Sequence, residues 1–279
     1  MNKLLSANLL RLWKSKIYWL CVFAMLLFSA CAMLLGCRQA AILLREGYSR
    51  DLDYYYFHTL PYFGFFLSVF AGLFLGTEYS DGTIRNKVVV GCTRTEIYLS
   101  NLICCAVATT TIYAAWAIGG LVGIPTLGLW RVGLYGLAEY LVIGLFSVLA
   151  LTAIFVFIGQ LCSNKAITAV LSILAAIVLL VMASMLYNSL CEPETTTSGI
   201  TISAGGTLDF GEEIANPAYV GGARRIVYQA LLNILPMGQA IWIADETVAQ
   251  PILMIALSVA VIAVLTACGL ILFRKKDLK

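Results

Sequence analysis

The chain has 279 residues, 61% of them hydrophobic and only 12% charged, with a formal net charge of +3 and a mean hydropathy of +0.91. A soluble domain carries about 25% charged residues. This composition exceeds what one aqueous core could hide, and it makes lipid the solvent for much of the surface. The small positive charge excludes a nucleic-acid partner of the usual strongly basic kind.

Taken in chain order, residues 1–16 read as an amphipathic helix. Leu5, Leu9, Leu12 and Trp13 share one face at i, i+4, i+7 and i+8, a pattern suited to lying along the inner membrane interface with Trp13 as anchor. A continuation of the first span is the other reading. A spanning helix needs about 20 mostly apolar residues, and six stretches qualify: 17–37, 60–76, 98–124, 140–161, 166–190 and 251–273. Lys14 and Lys16 precede the first, but its apolar run continues past Ser29-Ala30-Cys31, so it is expected to be a retained helix rather than a cleaved signal. Pro61 opens the second, and Pro125 with Gly128 ends the third. Only a helix satisfies its own backbone in lipid, and no period-two alternation suggests a barrel. The fold class is therefore all-α: a single polytopic domain over residues 1–279.

Orientation follows from the basic residues. With the N-terminus in the cytoplasm, the inner segments hold twelve: Lys3, Arg11, Lys14, Lys16, Arg85, Lys87, Arg94, Lys165, Arg274, Lys275, Lys276 and Lys279. The outer ones hold six: Arg38, Arg45, Arg50, Arg131, Arg224 and Arg225. Both termini are expected inside. The outer loop, 191–250, is then the one sizeable aqueous segment. Its first half, Glu192 to Gly199, reads as flexible. In its second half Val227, Ala230, Leu231, Ile234 and Leu235 recur at helical spacing until Pro236 and Gly238, and that apolar face should lie on the bilayer or cap the spans.

Of the nine cysteines, Cys21, Cys31, Cys104, Cys105, Cys162 and Cys268 lie in apolar runs and read as packing residues. Cys37 and Cys191 fall near the outer face, which leaves a disulfide between them open. No C-x-x-C or zinc spacing occurs, so no metal is expected. Gly72-x-x-x-Gly76 and Gly119-x-x-x-Gly123 permit close helix contact, expected within the chain rather than between protomers.

The inner loop, 77–97, is the segment built for mechanism. Gly82 permits a tight bend, Thr83 to Val90 can form a short interfacial helix, and Thr93 with Glu96 forms a capping box that fixes the start of the third span. A compact element joined tightly to two spans can pass force to both. An ordinary charged loop that only sets topology is the plainer reading.

The stretch Glu78…Gly82-Thr83-Ile84-Arg85…Gly91…Arg94…Tyr98 resembles the inner loop of ATP-binding-cassette permeases of the ABC-2 type, found in bacterial antibiotic and bacteriocin exporters. The usual lysine after Tyr98 is replaced by Ser100-Asn101. The amphipathic N-terminus, the basic end Phe273-Arg274-Lys275-Lys276-Asp277, and Asn216-Pro217-Ala218-Tyr219 with Leu235-Pro236-Met237-Gly238-Gln239 also resemble that family. The resemblance implies a bacterial cell-membrane exporter subunit. Its ATPase-coupling residues would be Glu78, Gly82, Thr83, Arg85, Arg94 and Glu96. It also implies a cytoplasmic ABC ATPase partner that binds the ATP, and a second permease chain. The chain carries no Walker A pattern, since no Gly-Lys pair occurs, so no cofactor of its own is expected.

Glu139 sits at the outer end of the fourth span as a path or interface residue, and Gln160 and Asn164 at its inner end are expected to be wet. No span carries a charge near its middle, which favours an amphipathic, peptide-like or drug-like cargo over ion coupling. Two alternatives stand beside the exporter. One is a non-transporting sensor or immunity subunit. The other is an intramembrane enzyme, for which the sole histidine, His58, beside Tyr54, Tyr55 and Tyr56, reads as an interfacial residue.

Overall fold

A computed structural model describes residues 1–47, 51–198, 200–202, 208–210 and 212–276. Arg50, Gly199, Asp277 and Lys279 lie outside the described residues. The helices are α1 (Asn2–Lys14), α2 (Lys16–Arg45), α3 (Leu52–Phe57), α4 (Phe63–Ser80), α5 (Thr83–Val89), α6 (Arg94–Gly120), α7 (Ile124–Leu127), α8 (Gly133–Leu161), α9 (Lys165–Cys191), α10 (Gly222–Ile234), α11 (Pro236–Ala244) and α12 (Pro251–Lys275). Among the described residues six helices are long and apolar enough to cross a membrane. They correspond to α2, the α3–α4 unit, α6 with α7, α8, α9 and α12. The chain is a multi-pass membrane protein.

The spans overrun the apolar stretches read from sequence. At 30 residues, α2 is about 45 Å long, well beyond a hydrocarbon core of about 30 Å. Its last turns hold Arg38 and Arg45. Ser15 caps its start by accepting from the Tyr18 amide, and the extended backbone of Ser15 separates it from α1. The third span starts at Arg94 because both halves of the Thr93–Glu96 capping box are formed.

Packing runs through α4, which lies against α9 and α8; α2 packs on α6, and α12 on α8. Glycine decides the closest approach. A Cβ at Gly72 or Gly76 would stand 2.8 Å from the Cα of Ala169 or Lys165 on α9, so both glycines serve α4–α9 contact inside the chain. Gly119 and Gly123 meet Leu26 and Met33 of α2 in the same way. At the end of the bundle away from the termini, an aromatic cluster closes the core: Tyr56 packs edge-on to Trp130, and the Trp116 indole donates to Thr59 Oγ1 at 2.8 Å.

In the segment 191–250 the first half, read from sequence as flexible, carries paired strands where the structure describes it, and the expected helix of the second half is present as α10. Thr195–Thr197 (β1) pairs antiparallel with Glu213–Ala215 (β4), and Ile200–Ile202 (β2) with Leu208–Phe210 (β3). β-branched residues favour that extended form. Asn216 ties the base of this ribbon by donating to Glu192 Oε2 (3.1 Å) and the Pro193 carbonyl (3.0 Å). Pro236 ends α10 but also opens α11, and the two helices bend by 99°. α11 is not aqueous: Pro236, Met237, Gly238, Gln239 and Ala240 are buried, packed against α8, α9 and the turn before α4. The Gln239 amide makes this burial tolerable. It donates to the Asn233 (2.7 Å) and Met254 (3.0 Å) carbonyls and accepts from Ser258 at 2.8 Å, so both polar atoms of that side chain are paired.

Cys37 is buried on α2 and Cys191 is exposed at the end of α9, both as free thiols. The disulfide left open by the sequence is not formed.

Candidate functional site

Both described ends of the chain and the loop 77–97 meet at one end of the bundle. Gly82 turns the chain after α4 in a left-handed conformation (φ 66°), which a glycine adopts without strain. Thr83 then donates to the Glu78 carbonyl at 2.9 Å, so α5 folds back onto the end of α4 and buries Ile84.

Glu78 is the centre of the site. It is 1% exposed, and a buried carboxylate needs compensating charge. Arg11 of α1 and Lys87 of α5 both pair with its Oε1, while Asn101 of α6 donates to Oε2 at 2.6 Å. Asn8 of α1 binds the same group from the other side. Its amide donates to Ser100 Oγ (2.8 Å) and Asn101 Oδ1 (2.9 Å), and its own oxygen accepts from Lys87 at 3.0 Å. Arg11 also donates to the Phe74 carbonyl at 2.5 Å and lies over the Phe74 ring. One carboxylate thus joins four helices: α1, α4, α5 and α6.

A second knot lies beside the first. Arg94 donates to the carbonyls of Phe273, Arg274 and Lys276, closing the C-terminal end of α12. Lys276 reaches on to the Gln160 and Cys162 carbonyls at 3.0 Å each, which are the open C-terminal acceptors of α8. Its amine also sits 4.0 Å from the centre of the Tyr79 ring. Burial lowers its pKa to about 8. Tyr79 completes the bridge by donating to the Gln160 carbonyl at 2.5 Å. Gln160 is fully buried rather than wet, because Tyr79 and Lys276 cover it. Asn164 is exposed and caps α9 through the Ala166 amide.

The residues singled out from sequence fall into four groups. Glu78, Gly82, Thr83 and Arg94 lie within these knots. Glu96 caps α6 and accepts from the Met1 amine at 3.0 Å. Arg85 stands apart: it is exposed on α5 and has no hydrogen bond or ion pair among the described residues. Around it Asn86, Val88, Val89 and Val90 are uncovered, with Val89 85% exposed and Val90 82%. Glu139, in the second turn of α8, is half-buried at the opposite end and makes no hydrogen bond or ion pair among the described residues.

Asn8, Ser100, Asn101 and Lys276 carry much of this site and were not among the coupling residues expected from sequence. One signal was available. Asn8 falls on the same helical face as Leu5 and Leu12, where a polar residue must meet a polar partner. α1 docks by that face, burying Asn8 and Leu12, while Trp13 stays half-exposed.

No curated protein matches the chain in sequence. A family model described as ABC-2 family transporter protein matches residues 4–183, a stretch that holds most of α1, the Glu78 knot, α5, the first four spans and most of the fifth. The chain belongs to the ABC-2 family of transporter proteins.

Proposed function

We propose that this chain is the membrane-spanning subunit of an ATP-driven exporter, powered by a separate cytoplasmic cassette ATPase that docks on α5. The carrying observation is the two-sided character of α5. Its inner side is fastened through Lys87 and the Glu78 knot to α1, α4 and α6. Its outer side presents Arg85, Asn86 and three consecutive valines to solvent. An uncovered apolar patch with one free cation suits a protein partner. A push on α5 reaches α1, α4 and α6 at once through Glu78, and the Arg94–Lys276 knot carries it to α8 and α12. Gly82, Thr83 and Glu96 hold the element in register at its two ends.

The concentration of basic residues at this end supports placing it, with both termini, in the cytoplasm. Six spans form half of a path, so a second permease chain, identical or related, completes it. The bare apolar faces of α9 and α12 meet lipid or that second chain. An amphipathic, peptide-like or drug-like cargo fits spans that carry no mid-membrane charge.

The test is co-purification from native membranes in mild detergent. The intact chain should bring down a cassette ATPase. Val89→Asp and Arg85→Glu, both on exposed positions, should weaken that capture about tenfold or more while the melting temperature of the chain is unchanged. Failure to recover any cassette ATPase with the intact chain, or full recovery with both variants, would overturn the reading.

A further inference from the structure

At the end of the bundle opposite the Glu78 knot, α3, α9 and α11 enclose a cleft of about 260 Å³. Three phenol rings line it: Tyr54 on α3, Tyr62 before α4, and Tyr187 on α9, with Leu180 and Ile241 as apolar wall. The rings are held in place. Tyr54 stacks on His58 at 5.3 Å between centroids, and Tyr187 meets the Trp242 ring edge-on at 5.4 Å. The one acid in the lining is Asp245, which ends α11 and accepts from the Tyr187 hydroxyl. It forms no ion pair among the described residues. The C-terminal end of α11 adds its own partial negative charge there.

We propose that this cleft binds an organic cation with an apolar body, either a substituted ammonium compound or the ammonium headgroup of a lipid. Aromatic faces attract a soft, poorly hydrated cation, most strongly a substituted ammonium, and a single carboxylate neutralises it. A compact metal ion is a poor match. Among the described residues no three acidic, histidine or cysteine side chains come together, and three phenol faces offer no set of ligands. Tyr187 plays a divided part: its ring lines the cleft, while its hydroxyl occupies the carboxylate that the ligand needs. The inference rests on the cleft alone and does not depend on the exporter reading.

The experiment uses the full chain in nanodiscs of phosphatidylglycerol, which lacks an ammonium group, with radiolabelled benzyltrimethylammonium as probe in equilibrium dialysis. Saturable binding is expected. Asp245→Asn should weaken it about tenfold through loss of the charge. Tyr54→Leu and Tyr62→Leu should each weaken it about threefold. Tyr187→Phe keeps the ring and frees the carboxylate, so it should bind as well as the unaltered chain or better. Benzenesulfonate should not bind. Adding phosphatidylcholine, whose headgroup is a trimethylammonium, to the discs separates the two sources: competition assigns the site to a lipid headgroup, and its absence assigns it to a free cation. The proposal is overturned by an absence of saturable binding, by equal binding of benzenesulfonate, or by an Asp245→Asn chain that melts normally and binds the cation undiminished.

Discussion

Replacing Glu78 with Gln keeps the shape of the side chain and removes the charge on which α1, α4, α5 and α6 converge. Arg11 and Lys87 would then face each other without their shared counter-ion. Removing one partner of a buried ion pair costs about 3–5 kcal/mol. Here Arg11 is 31% exposed and Lys87 16%, so water recovers part of that loss, and we expect about 2–3 kcal/mol. For a chain of this size each kcal/mol moves the melting temperature by about 2–4 °C, which predicts a fall of about 4–12 °C in a detergent melt followed by tryptophan fluorescence. The diagnostic quantity is the coupling. Glu78→Gln with Lys87→Met removes an acid and one of the cations it balances, so the double variant should be more stable than the sum of the single losses by about 1 kcal/mol or more. Strict additivity, or a Glu78→Gln loss below about 0.5 kcal/mol, would show that Glu78 does not hold the four helices together.

Three further outcomes follow from the same geometry. Gly72→Ala should destabilise the chain by about 1–3 kcal/mol, since its Cβ would meet the α9 backbone at 2.8 Å; an unchanged melt would mean that α4 and α9 pack less closely. Thr93→Ala removes the capping box of α6 and should cost about 1 kcal/mol, seen as faster amide exchange over residues 94–98. Lys276 should titrate at about 8, well below the ordinary lysine value of 10.5, because burial disfavours its charge. A base depressed on folding stabilises the fold progressively as pH rises from its folded pKa towards its unfolded one. Stability from this group should therefore grow between about pH 8 and 10.5. Isotope-labelled dimethyl-lysine spectra should show one resonance titrating early, and that resonance should be missing from a Lys276→Arg chain.

How much of this was legible in advance depends on the range of the interaction that decides each feature. The six spans come from composition, because a run of apolar residues near 20 long has one stable outcome in lipid. The start of α6 is local too: Thr93 and Glu96 are three residues apart, and their reciprocal bonds need nothing else. Gly82 marks its turn for the same reason. These features, with the fold class and the family, belong to the sequence by itself. The site does not. Glu78 draws on residues 67 positions away at Arg11 and 23 away at Asn101, and no local pattern says that these partners share one carboxylate. Lys276 meets Gln160 across 116 positions, which is why that glutamine, apparently placed for water, is dry. α11 was hidden for a related reason. Pro236 stops one helix whatever follows, but the descent of Met237–Ala240 among α8 and α9 requires a gap between those spans and a partner for Gln239, and both exist only once the helices have assembled.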